Sequence, residues 1–115
     1  MENKELRNML PFLDESQIKE IANAIINNSE KYKEKLSLTD LAPFLDETDC
    51  DEIFTKSIDE NGEYLTGLLP FVSEKCLDDL VDKYISGEMK LNVSQMYPFM
   101  KSITIKKLFD FELSK

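Results

Sequence analysis

The stretch Leu38-Thr39-Asp40-Leu41-Ala42-Pro43-Phe44-Leu45-Asp46 decides how this chain is read, because its pattern is written four times. Pro-Phe stands at Pro11-Phe12, Pro43-Phe44, Pro70-Phe71 and Pro98-Phe99, and the chain has no other proline. Successive prolines lie 32, 27 and 28 residues apart. Such a recurrence is the mark of tandem structural units, each too small to bury its apolar face alone.

Apolar residues fall in register around each proline. Five before it stand Leu6, Leu38, Leu65 and Val93; two before, Met9, Leu41, Leu68 and Met96; one before, Leu10, Ala42, Leu69 and Tyr97; two after, Leu13, Leu45, Val72 and Met100. These offsets trace one helix face and predict a short first helix in each unit. Thr39, Thr66 and Ser94 are its expected N-caps, which places the proline in the first turn, where its missing N–H costs little.

Three residues after the proline come Asp14, Asp46, Ser73 and Lys101. The first three are N-cap types, Gln17 has capping-box spacing to Asp14, and Glu15, Glu47 and Glu74 suit the positive end of a helix dipole. A second, longer helix should start there. Its stripe is Ile18, Cys50, Leu77 and Ile105; Ile21, Ile53, Leu80 and Leu108; Ala22, Phe54, Val81 and Phe109; Ile26, Ile58, Ile85 and Leu113. Asn27-Asn28-Ser29 and Lys31 to Lys35 form the longest link, while Asn61-Gly62 and Ser86-Gly87 offer glycines to end the second and third long helices.

No alternating strand pattern appears. The expected fold is all-α: a single domain, 1–115, of four tandem helical hairpins with units of about 4–35, 36–64, 65–90 and 91–115. The units stack as a solenoid or fold into a compact bundle. The 38–46 pattern resembles helical repeats of uncharacterised low-GC bacterial proteins. That resemblance implies the helical-repeat fold and no particular activity; the richness in Lys, Glu, Asn and Ile is a composition associated with such genomes.

A formal charge of −9, from 23 acidic and 14 basic residues, disfavours nucleic acid and anionic lipid as partners. No run of apolar residues is long enough to span a membrane, and Met1-Glu2-Asn3-Lys4-Glu5 is too charged for a signal peptide. Cys50 and Cys76 are therefore expected to stay reduced, in a cytoplasm.

The chain has no histidine, no CxxC pair and only three glycines, so it lacks the usual general base, the commonest metal ligand and a phosphate-binding loop. No catalysis and no cofactor are expected. Cys50 occupies an Ile/Leu column and reads as core. The four phenylalanines share one offset and read as packing.

Residues 36–64 carry nine acids and one base, Lys56, whereas 91–115 is mildly basic through Lys101, Lys106 and Lys107. Asp59-Glu60-Asn61-Gly62-Glu63 looks like a calcium loop, but a glycine at its sixth place puts Leu68 where the terminal glutamate belongs. The preferred expectation is a non-catalytic interaction or small regulatory module that meets a basic protein surface, or its own kind. Asp49, Asp51, Glu52 and Asp59 are its candidate contacts, with Tyr97 and Phe111, which break their columns in the last unit. The alternatives are a divalent-cation binder or carboxylate enzyme in the acidic unit, and a structural module of a larger assembly.

Overall fold

The computed structural model describes residues 2–32 and 34–115; Met1 of the charged N-terminus and Lys33 of the first link lie outside them. Among the described residues every element is helical and no strand occurs. Six α-helices follow in order: α1 (Glu2–Met9), α2 (Glu15–Ile26), α3 (Leu38–Leu41), α4 (Glu47–Ser57), α5 (Glu74–Ser86) and α6 (Ser102–Leu113). Between them lie four 3-10 segments: Leu10–Phe12, Ala42–Phe44, Thr66–Phe71 and Val93–Phe99.

Every Pro-Phe pair closes a 3-10 segment. The N–H of Leu13, Leu45, Val72 and Met100 donates to the carbonyl of Leu10, Ala42, Leu69 and Tyr97, at 3.2, 3.1, 3.2 and 3.3 Å. The proline thus occupies the second place of a tight turn, where its ring pre-sets φ and no N–H is needed. This corrects the expected position. The prolines end the short helices instead of lying in their first turns, and Thr39, Thr66 and Ser94 are not caps. Ser37 caps α3, in a capping box with Asp40, while Thr66–Phe71 and Val93–Phe99 begin without a side-chain cap.

One residue after each turn a long helix starts, as the cap chemistry predicts. Asp14 accepts the Gln17 N–H in a full capping box, Asp46 accepts from Asp49, and Ser73 accepts from Cys76. Lys101, at the same place before α6, makes no side-chain cap. Gly87 ends α5 in the left-handed conformation that glycine tolerates. Gly62 does not end its helix: α4 stops at Ser57 with Ile58 extended. Gly62 is needed for a close approach instead, since a Cβ there would stand 2.6 Å from the Leu91 backbone.

The molecule is elongated, 51 × 24 × 22 Å. The first three long helices pack on the short segment that follows, α2 on α3, α4 on Thr66–Phe71 and α5 on Val93–Phe99, and α2 also packs on α4 and α5 on α6. One buried cluster runs through Ile18, Ala22, Leu41, Phe54, Leu69, Leu77 and Met96. Phe54 is fully buried and meets Tyr64 edge-on, with ring centroids 5.1 Å apart.

The phenylalanines of the Pro-Phe pairs do not form the core. Phe12 is 88% and Phe44 37% exposed, while Phe71 and Phe99 are half-buried against the core. The residue before the proline turns inward in the first three pairs, and the phenylalanine lies at the margin. Truncating Phe54 to Ala should therefore cost about 3–5 kcal/mol. Phe12→Ala should stay within about 0.5 kcal/mol in the same denaturant titrations.

Candidate functional site

The acidic residues of α4 are ordered by their neighbours. Lys19 of α2 reaches across to Asp49 at 3.1 Å and Glu52 at 3.4 Å, and Glu52 also holds Lys56 at 2.9 Å. Lys56 first, then Lys19, pull the Glu52 carboxyl below its ordinary range. Asp51 faces the other way. Its two carboxylate oxygens accept the Ser73 backbone N–H at 2.7 Å and the Ser73 hydroxyl at 2.6 Å, at the N-cap of α5. Asp59 is exposed and folds back on its own loop, accepting from the N–H groups of Asn61 and Glu63 at 2.8 and 3.0 Å. So Asp49, Asp51 and Glu52 are engaged between helices, and Asp59 shapes a turn.

The same contact recurs at the next boundary. Asp78 of α5 accepts the Thr104 hydroxyl at 2.7 Å and pairs with Lys107 at 3.0 Å, both on α6. Thr104 is 1% exposed and this bond satisfies it. The Thr104 hydrogen bond, followed by Lys107, holds the Asp78 carboxyl below its ordinary range. Lys19, Asp51 and Asp78 all stand eight residues after their proline. Each reaches the next long helix: α4, the N-cap of α5, and α6. Sequence reasoning missed this column because its charge changes sign while its place does not; comparing polar offsets would have shown it.

Two acidic groups approach metal-site geometry. Oxygens of Glu15, Asp46 and Asp49, and of Asp78, Asp79 and Asp82, lie within 4.8 Å of one another. In each an ammonium already supplies the positive charge: Lys19 on Asp49, and Lys107 on Asp78 and Asp82, both at 3.0 Å. A hard divalent cation wants six or more oxygens, roughly twice what either group offers. In the first group the Asp46 N–H, at 3.0 Å, draws the Glu15 carboxyl down, but the facing Asp49 carboxyl, burial and the Asp46 charge outweigh it, and the net shift is upward.

Both cysteines are free. Cys50 is buried, its Sγ is 3.6 Å from the Ala42 carbonyl, and burial pushes its thiol up to about 11. Burial also raises the half-exposed Cys76, which faces an open groove of about 470 Å³ between α4 and α5 with Asp51, Thr55 and Lys83. Raised thiols of this kind are poor nucleophiles near neutral pH.

The two aromatic candidates separate. Phe111 is half-buried, edge-on to Tyr84 at 5.7 Å, with the Lys115 ammonium 4.8 Å from its ring centroid. It packs α6 against α5. Tyr97 is 48% exposed where Leu10, Ala42 and Leu69 are buried. Other side chains stand out with it: Phe109, 60% exposed, and Leu113, 70%, on a column whose earlier members are buried or half-buried. Ile103, 65% exposed, replaces Ser16, Thr48 and Lys75 at its offset.

No protein-family model, curated protein or solved structure matches this chain. Among the described residues no helix is long and apolar enough to cross a membrane.

Asp78→Ala should orphan the buried Thr104 hydroxyl and cost about 1–3 kcal/mol near neutral pH. Because the Asp78 carboxyl titrates lower when folded, its ionic contribution is complete above its unfolded value, about 3.9, and fades as the pH falls through the folded one. Melts of wild type and variant should therefore converge toward the worth of a neutral hydrogen bond as the pH falls through the folded value.

Proposed function

We propose that this protein is a non-catalytic protein-interaction module of four tandem helical repeats, each a short helix and then a longer one, stacked as an open solenoid. Its shape supports the open stack: the Cα radius of gyration is 15.7 Å, against about 13.4 Å for a compact globule of this length. The helix-to-helix contacts through Lys19, Asp51 and Asp78 support the repeat, since each has the same place in its unit and touches the next.

The observation that carries the functional proposal is the apolar surface at the ends. Columns buried inside the stack are uncovered at Tyr97, Phe109 and Leu113, and α6 adds Ile103. An apolar face of this kind marks an interaction site. The acid excess of the second unit serves mainly to join it to its neighbours, which moves the expected contact from Asp49, Asp51 and Glu52 to the last unit. Reduced thiols, the absent histidine and the ammonium-filled carboxylate groups fit a binding role better than a catalytic or cation-binding one.

A photo-reactive amino acid placed at Tyr97, and separately at Glu47 on the acidic face, tests this in the native cells. Protein adducts, identified by their peptides, should form at Tyr97 well above Glu47. Adducts confined to Glu47 would return the contact to the acidic unit, and none at either position would remove the interaction role.

A further inference from the structure

In a stacked array the residues that face the next unit recur at fixed offsets. On the long helices these are Lys19, Ala22 and Ile26 of α2; Asp51, Phe54 and Ile58 of α4; and Asp78, Val81 and Ile85 of α5, whereas Ser16, Thr48 and Lys75 one turn earlier are exposed. Their spacing of three and four residues keeps them on one helix face. The fourth member of the series is Lys106, Phe109 and Leu113 of α6, and Ile103 stands one turn earlier. Phe109 and Leu113, with Ile103 beside them, are 60–70% exposed.

The opposite end carries the counterpart. Met9 is 54% exposed, whereas Leu41, Leu68 and Met96 in its column are 0, 3 and 0% exposed. Phe12 beside it is 88% exposed, the most of any large apolar side chain described. Later members of the Met9 column are buried, and in the Phe12 column Phe71 and Phe99 are half-buried against the core.

Charge fits the two ends together. Lys19 leaves α2 and pairs with Asp49 and Glu52, which stand six and nine residues after their proline. At the last unit the residue equivalent to Lys19 is Lys106, which pairs at 2.6 Å with Asp110 one turn along its own helix. At the first unit the positions equivalent to Asp49 and Glu52 are Gln17 and Glu20. Glu20 is exposed and forms no ion pair among the described residues.

We propose that the α6 face binds the first unit of a second copy of this chain, head to tail, so that one stack continues into the next. Phe109, Leu113 and Ile103 of one copy cover Met9 and Phe12 of the other, and Lys106 meets Glu20. The two surfaces differ, so the contact does not close on a pair; it propagates as an open chain or a ring. The proposal rests on the stacked-repeat and interaction reading above and names its partner.

Sedimentation velocity from about 10 µM to about 1 mM tests it, since the association follows mass action. Wild type should grow past the dimer as concentration rises. Phe109→Glu, with its tail blocked, and Phe12→Glu, with its head blocked, alter exposed positions and should each remain folded and monomeric. Their mixture should form a dimer and nothing larger, because one free head and one free tail remain. Lys106→Glu and Glu20→Lys should each weaken wild-type growth by about tenfold, and the double variant should regain it. A wild type that stays monomeric, a dimer that survives both phenylalanine variants, or a mixture that stays monomeric would overturn the head-to-tail contact. If the wild type is monomeric while Tyr97 captures a different protein, the interaction module stands and the second copy is rejected as its occupant.

Discussion

A helix of eleven to thirteen residues with one apolar stripe does not hold its shape in water by itself. That constraint governs this structure. The long helices α2, α4 and α5 bury their stripes against the short segment that follows and against neighbouring long helices, α2 on α4 and α5 on α6. The Pro-Phe turn makes this possible by ending the short helix one residue before the next cap. The turn therefore sets the direction of the chain, and packing along that direction supplies the stability.

Polar contacts fix how the pieces meet. Lys19, Asp51 and Asp78 reach their partners from the same offset with different chemistry: an ion pair, a helix cap and a buried hydroxyl with an ammonium. The acidic composition of the second unit follows from this, because it faces a lysine on one side and a helix N-terminus on the other. Asp49, Asp51 and Glu52, candidate contacts in the sequence, thus also hold neighbouring helices together.

Much of this architecture was legible in the sequence. The helix class, the long-helix caps at Asp14, Asp46 and Ser73, the Gly87 terminus and the buried place of Cys50 all follow from spacing and residue type. What escaped was three-dimensional. A periodic pattern shows that a residue repeats, but not which side of the pair turns inward, so the sequence marks Phe12 and Phe44 as core or inter-repeat packing while Leu10 and Ala42 are the buried residues. Thr39, Thr66 and Ser94 looked like caps because their type is right; the proline's turn chemistry, which shifts the short helix toward the N-terminus, overrides them. Partners of opposite sign lay tens of residues apart, beyond the reach of local pattern.

The central claim is that the units stack in a line, each covering the one before. Small-angle X-ray scattering of the Phe109→Glu variant, extrapolated to infinite dilution, addresses it most directly. An open stack predicts an elongated particle with a radius of gyration no smaller than 15.7 Å and a longest dimension of at least 51 Å. A near-spherical particle with the radius of a compact globule, about 13.4 Å before its hydration shell is added, would contradict it.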